Sequence, residues 1–321
     1  MGFSTTFFNV LLVLIYAIPG FILVKVKKGS VEHLKTLAAI LLYVLSPCMI
    51  INAFQQIDRS KDMAINMVIF TIITFLLQTL MIILAFIIAF FVNKKLNDES
   101  KLKRLGLVGT ALGNVGFFGL PIIRSLLADY PEAQVYSTLF VLSMNLLIFT
   151  VGAFAVTGDK KYISIKSLIL NPTTISVVVA SILFAFDFKI SNNFKSFGPL
   201  LSDGIEILGK ATTPVSMIIL GMRLASSSLI RVFTNIRAYV VTICKMVLFP
   251  IMCYLIVYFT PLDYSMRASI VILASAPCAS VLLNLSELLG SEQEDAANVV
   301  LISTLSSIIC MPLVLLILKK K

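Results

Sequence analysis

Charged residues are scarce in this sequence: Asp, Glu, Lys and Arg make up 13% of 321 residues, while 59% are apolar and the mean hydropathy is +1.00. Soluble domains run nearer about 25% charged and 45–50% apolar. A single core also stops growing at roughly 250–300 residues, so this much apolar sequence cannot hide inside one. Its solvent is lipid. Histidine is almost missing. The one copy, His33, reads as part of a charged loop, and a single histidine excludes a multi-histidine metal site and argues against a histidine-based triad. The five cysteines (Cys48, Cys244, Cys253, Cys278, Cys310) fall within apolar runs without CxxC spacing. They read as packing residues, not disulfides or metal ligands. There is no GxxxxGK[ST] phosphate cradle, no HExxH and no pair of mid-span Asp residues, so neither an ATP-driven pump nor an intramembrane enzyme is expected, and no cofactor or metal. The net charge of +10 does not point to nucleic acid, because Lys and Arg are scattered over short loops; there they act as topology signals.

What is present is a series of ten apolar segments of roughly 19–29 residues, each long enough to cross a hydrocarbon core of about 30 Å as a helix. They run approximately 4–24, 34–54, 64–92, 105–128, 133–156, 170–188, 200–222, 237–259, 266–288 and 296–318. Barrel strands would alternate over about ten residues; these runs are continuous, so the expected fold is an all-α membrane protein. The first segment carries no preceding Lys or Arg and holds Pro19-Gly20 in place of a small-residue cleavage site, so it is read as a span, not a signal. Lys and Arg concentrate in the loops after the odd-numbered spans, which places those loops in the cytoplasm and both termini outside. Every loop is short, the longest lying around 157–169, so the function is expected within the membrane.

The two halves echo each other. Pro19 has a counterpart in Pro172, the run Leu45-Ser46-Pro47 in Thr213-Pro214-Val215, and Pro121 in Pro277. Five spans per unit force the second copy to sit upside down, giving an inverted repeat of residues 1–156 and 170–321, as in many secondary transporters.

Spans 4 and 9 carry the strongest chemistry. Span 4 reads Gly113-Asn114-Val115-Gly116-Phe117-Phe118-Gly119-Leu120-Pro121, and span 9 reads Ser275-Ala276-Pro277-Cys278-Ala279-Ser280. Glycine costs about 1 kcal/mol and proline about 3 kcal/mol in a helix interior. Neither stretch should therefore be regular helix, and unwound backbone at membrane depth survives only where it lines a cavity or is buried in protein. Freed amides and half-helix N-termini suit an anion. Gly113, Asn114, Val115, Gly116, Ser275, Cys278 and Ser280 are the expected substrate contacts, with Gly119, Pro121 and Pro277 setting the helix breaks. The competing reading is an ordinary kink or small-residue seam; paired occurrence in the two halves favours a site. Lys245, deep in span 8, attracts an anion, pairs with a proton-carrying carboxylate or snorkels to an interface. Ser143 and Asn145 in span 5 either line the cavity or bond neighbouring helices. Glu206 and Lys210 have the spacing of an i,i+4 ion pair near the start of span 7.

At these residues the chain resembles the auxin efflux carrier family, which includes plant auxin carriers and bacterial malate or malonate permease-like proteins. The most specific parts are Asn114-x4-Gly119-Leu120-Pro121, Pro277 among small residues, Thr213-Pro214 with Leu220-Gly221, Lys245-x4-Pro250 and Met311-Pro312-Leu313. The resemblance implies a ten-helix fold akin to the bile acid–sodium symporters, with spans 4 and 9 crossing at the substrate. It implies a scaffold of spans 1, 2, 6 and 7 (about 4–54 and 170–222), often dimeric, and a moving core of spans 3–5 and 8–10 (about 64–156 and 237–318). It also implies that Asn114 bonds a carboxylate substrate. The long central loop common in plant carriers is reduced here to about a dozen residues, and auxin itself does not carry over. The expected function is secondary transport of a small organic anion, a mono- or dicarboxylate such as malate or malonate, by elevator-like alternating access in the cell membrane. A sodium-coupled symporter of the bile acid type, a channel and a non-transporting ligand sensor are the alternatives.

Overall fold

The structure is a computed structural model describing residues 2–96, 109–152, 154, 163–226, 236–279, 282 and 293–318. Its regular structure is helical throughout the described residues, as lipid demands of any open chain that must satisfy its own amides. The helices are α1 (Phe3–Ile15), α2 (Ile18–Lys25), α3 (Val31–Ile40), α4 (Ser46–Gln55), α5 (Lys61–Leu96), α6 (Leu120–Leu126), α7 (Glu132–Leu147), α8 (Ile165–Ile169), α9 (Pro172–Ala185), α10 (Ile190–Asn193), α11 (Phe197–Ser226), α12 (Ile236–Ile243), α13 (Phe249–Tyr258), α14 (Tyr264–Ala274) and α15 (Gln293–Leu315).

Among the described residues seven helical runs are long and apolar enough to cross a membrane: Phe3–Lys25, Glu32–Gln55, Lys61–Ile88, Glu132–Thr150, Phe197–Ala225, Ala238–Tyr258 and Ala296–Leu315. They fall on seven of the ten expected segments. The other three segments hold shorter helices. In segment 170–188 the helix α9 has 14 residues, a rise of about 21 Å at 1.5 Å per residue. In segments 105–128 and 266–288 the backbone unwinds, leaving α6 with 7 residues and α14 with 11.

Three prolines shape their helices in one way. Before Pro47, Pro121 and Pro250 the chain widens into a single π-helical turn: Leu41–Leu45, Val115–Gly119 and Cys244–Leu248. Proline has no N–H, and its ring clashes with the carbonyl four residues back. Opening the turn lets the residue ahead of each proline donate to the carbonyl five back: Ser46 to Leu41, Leu120 to Val115, Phe249 to Cys244. Such bulges re-aim the side chains they contain.

The long helix α5 shows how both faces can be apolar. Met63, Met67, Phe70, Thr74, Leu77 and Met81 are buried at helical spacing, while Ile65, Val68, Ile72, Leu76 and Ile83 are exposed. One face packs on protein and the other meets lipid. Phe70 stacks on Tyr136 of α7 with ring centroids 4.6 Å apart. On the same side α14 packs against α13 and α7, and α12 against α15.

A second packed group gathers around α11, which lies against α2, α3 and α4, while α9 lies against α4. Here backbones touch. A Cβ on Gly20 would stand 2.0 Å from the Ile218 carbonyl oxygen, and one on Gly221 would stand 1.8 Å from that of Ala17. Only glycine fits at either position. Thr212 adds a hydrogen bond to the Leu45 carbonyl at 3.1 Å. Lys189 caps the end of α4, donating to the Gln55 carbonyl at 2.8 Å and to that of Ile57, with Asp58 3.8 Å away. The two groups meet where α1 contacts α15 and α6, and where α4 and α9 contact α7.

Candidate functional site

The unwound stretches of segments 105–128 and 266–288 lie against each other. Asn114 N–H donates to the Pro277 carbonyl at 2.7 Å, and Ala279 N–H donates to the Leu112 carbonyl at 3.1 Å. Gly113 sits opposite Cys278 in a minimal antiparallel bridge. Each break thus satisfies backbone groups that the other exposes, which is how non-helical backbone persists among apolar helices. Pro277 cannot donate, but its carbonyl can accept, and that is the role it has here.

Neighbouring elements complete the pairing. Cys278 N–H donates to Ser303 Oγ of α15 at 3.0 Å, and Ser303 in turn donates to the Val300 carbonyl at 3.1 Å. The Cys278 thiol is fully buried and reaches the Gly109 carbonyl at 3.6 Å. Beyond the bridge, the Asn114 carbonyl accepts from Phe118 and Gly119, both at 3.0 Å. That starts the second half-helix and leaves the amides of its first turn facing the crossover. The half-buried Asn114 makes no side-chain cap bond there, so its carboxamide stays uncommitted beside those amides. Gly119 fits this half-helix onto α14, since a Cβ there would stand 3.0 Å from Leu273 Cδ2.

Lys245 enters from the side. The π turn Cys244–Leu248 carries it into the bundle, where it is wholly buried. Its ammonium donates to the Ala274 carbonyl, at the end of α14, and lies 4.7 Å from the Phe249 ring centroid. Among the described residues the carboxylates in ion pairs bond other lysines, Asp58 with Lys189 and Glu206 with Lys210. Lys245 therefore does not snorkel, and no described carboxylate pairs with it.

Of the sequence-predicted residues, Gly113, Asn114, Val115, Gly116, Gly119, Pro121, Ser275, Pro277 and Cys278 all lie on the two crossing stretches, and Lys245 joins them. The Ser275 hydroxyl turns back to its own helix, donating to the Ile272 carbonyl at 2.7 Å. Ser280 lies outside the described residues. Ser143 belongs to the seam between α5 and α7, where its hydroxyl meets Thr74 Oγ1 at 3.0 Å and donates to the Thr71 carbonyl at 3.1 Å. Asn145 is buried on α7 beside Val141 and Met144, which together with Ile148, just past the end of that helix, pack with Leu112, Cys278 and Ala279. Glu206 and Lys210 form the expected pair, 2.5 Å apart, on an exposed face.

Sequence reasoning missed Ser303 and Phe249. Ser303 lies in the run Ser303-Thr304-Leu305-Ser306-Ser307, whose hydroxyl density inside an apolar span was the available signal. Phe249 stands four residues after Lys245, a spacing that puts a ring beside an ammonium. Elsewhere, a surface cavity of about 430 Å³ lined by Asn66, Ile69, Thr260, Asp263 and Met266 opens at the far end of α14 from the crossover. Among the described residues no group of His, Cys, Asp and Glu could hold a metal ion.

Comparison with known proteins adds two findings. The sequence model of the family described as membrane transport protein matches residues 5–167 and 161–315. An uncharacterized transporter of Methanocaldococcus jannaschii is 28% identical over 222 residues, which is 68% of this chain and 69% of that protein.

Proposed function

Because the chain belongs to the membrane transport protein family, the auxin efflux carriers, and is a multi-pass membrane protein, we propose that it is a secondary transporter of small organic anions, mono- or dicarboxylates such as malate or malonate. The observation that carries this reading is the paired hydrogen bonding of Asn114 to Pro277 and of Ala279 to Leu112. It joins two interrupted helices at a place where free amides and an uncommitted carboxamide converge. A carboxylate accepts hydrogen bonds from such donors without a full counter-charge, each worth about 1.5–3 kcal/mol when the acceptor is charged. Gly116 leaves room beside them: among the described residues a Cβ there would meet Val141 alone, at 3.6 Å.

The proposed architecture is ten spans in two inverted repeats, 1–156 and 170–321, with the short α6, α9 and α14 belonging to spans 4, 6 and 9. Both termini lie outside the cell membrane. Spans 1, 2, 6 and 7 form a scaffold, which pairs with a second copy to make a homodimer, and spans 3–5 and 8–10 form a core that moves elevator-fashion. Support for that division comes from the two packed groups, whose polar links among the described residues include two exposed side-chain pairs and the electrostatic pairing of Arg124 with Glu206. Ser125 donates to Asn9 Oδ1 at 2.6 Å, and Gln134 donates to Gln56 Oε1 at 3.3 Å, both pairs exposed.

The test is flux. Purified protein in liposomes is expected to take up labelled malonate or malate saturably and to show counterflow. In Asn114→Ala uptake falls about 10-fold or more, the loss of one charge-assisted hydrogen bond. Unchanged uptake in that variant would remove Asn114 from the site. Carboxylate binding without flux would mark a sensor.

A further inference from the structure

We propose that Lys245 is the resident counter-charge of the anion site: its ammonium, held between the two crossing stretches, balances one carboxylate of the bound substrate. The proposal rests on the organic-anion reading above and adds to it a residue, a charge and a selectivity.

Three observations carry it. The first is cost. Lys245 is fully buried, and a cation at the centre of a spanning helix costs at least about 2.5–3.5 kcal/mol. Apolar replacement would remove that cost, so its presence calls for a compensating anion. The second is the character of its neighbours. Its partners, the Ala274 carbonyl and the Phe249 ring, are both neutral. They orient the ammonium and soften its desolvation, yet leave the formal charge uncancelled. An ammonium has three donors, and Ala274 takes one.

The third is position. A Cβ on Gly113 would stand 3.1 Å from Lys245 Nζ, while Ala274 ends the helix that leads into the Pro277 break. The ammonium therefore lies against both broken segments at once, at Gly113 on one and Ala274 on the other. In a medium of low dielectric an opposite charge placed there is held far more strongly than in water. An empty site carries one positive charge, and one bound carboxylate neutralises it. Capping the C-terminal carbonyl of α14 is the purely structural alternative. It makes a different prediction, because a cap stabilises the fold whether or not an anion is bound.

The experiment compares charged and neutral ligands of one shape. Wild type, Lys245→Met and Lys245→Arg are purified full length in lipid nanodiscs, and malonate and its uncharged diamide are titrated against each. Melting temperature is read without ligand. The expected result is that wild type prefers malonate over the diamide, and that this preference falls about 10-fold or more in Lys245→Met. The unliganded Lys245→Met protein melts at the same temperature or higher, since replacing a buried charge by an apolar side chain of similar volume is often neutral or stabilising. Lys245→Arg keeps the preference.

A wild type that binds malonate, with a Lys245→Met variant that discriminates equally well, overturns the counter-charge and leaves the anion site standing. Lower melting temperature with undiminished discrimination identifies a helix cap and likewise overturns it. If Lys245→Met does not fold, Lys245→Arg decides: loss of discrimination there rejects the proposal. A wild type that neither binds nor transports malonate or malate overturns the anion site itself, and the counter-charge with it.

Discussion

Gly113 and Lys245 are fitted to each other across the crossover: a Cβ on Gly113 would stand 3.1 Å from Lys245 Nζ and 3.2 Å from Cε. The glycine is needed for room, not for an unusual backbone angle, since positive φ among the described non-glycine residues is confined to Lys27, Asp187 and Lys195 and Gly113 itself has none. Span 4 thus makes space at one residue for a cation delivered by span 8.

Gly113→Ala tests that fit. The new methyl must push the lysine tip aside by a few tenths of an ångström, and the end of a flexible side chain can move that far. Overpacking costs about 1–3 kcal/mol, while a less flexible unfolded chain returns about 0.4–1 kcal/mol. A fall of only a few degrees in melting temperature is expected, together with clearly weaker malonate binding in the same preparation. Wild-type affinity in this variant would show that the ammonium need not stand against residue 113.

Asn114→Asp separates hydrogen bonding from charge. The residue joins the crossover through its backbone amide, bonded to Pro277 at 2.7 Å, so exchanging the side chain leaves that link intact. Asp and Ala both lack the amide donor, but Asp adds a negative charge. Like charges about 4 Å apart repel by about 4 kcal/mol at an effective dielectric constant of 20. Uptake by Asn114→Asp should therefore fall below that of Asn114→Ala, with both proteins melting near the wild type. Equal uptake by the two variants would mean that the anion sits away from position 114.

Ser303 holds the crossover from α15. In Ser303→Ala the buried Cys278 N–H, now bonded to Ser303 Oγ at 3.0 Å, is left without its acceptor. Such an orphaned donor costs about 1–3 kcal/mol. Thermal unfolding in detergent should register the loss as a lower melting temperature, and Ser303→Thr should recover most of it. A Ser303→Ala protein as stable as wild type would show that this bond contributes little.

Thiol accessibility reports the same region without any ligand. Cys253 and Cys278 are buried, while Cys48, Cys244 and Cys310 are partly exposed. With N-ethylmaleimide and peptide mass spectrometry, Cys278 and Cys253 should react at least about ten times more slowly than the other three, because reagent reaches them only through opening of the bundle. Equally fast modification of Cys278 and Cys48 would mean that the crossover stands open at rest.

Much of this was legible in the sequence, and the rest failed for definite reasons. The break at Pro277 could be read because proline acts on its own backbone, whatever surrounds it; in span 4 the interruption falls at Leu112–Asn114, while Gly119 and Pro121 lie in the π turn and half-helix that follow it. Seven apolar segments became long helices for the same local reason. The helix α9 ended short of expectation at Phe186 because the chain turns there, Asp187 adopting φ 52°, and an apolar run does not announce such a turn. Ser143 and Lys245 were both polar residues in apolar spans, and sequence alone left each with several roles. Their partners are distant in the chain: Ser143 bonds Thr74, 69 residues away, and Lys245 bonds Ala274, 29 residues away.

The order of residues by itself therefore determined a lipid-embedded, helical chain, and the sites at which two helices must break, because hydrophobicity and backbone propensity belong to single residues and their near neighbours. Only the tertiary structure decided that the two breaks hydrogen-bond to each other, that Ser303 braces them, and that one buried ammonium lies against both. Those relationships join residues as far apart as Gly109 and Cys278, 169 positions along the chain. They exist because packing brings the unsatisfied amides and carbonyls of one interrupted helix to those of the other.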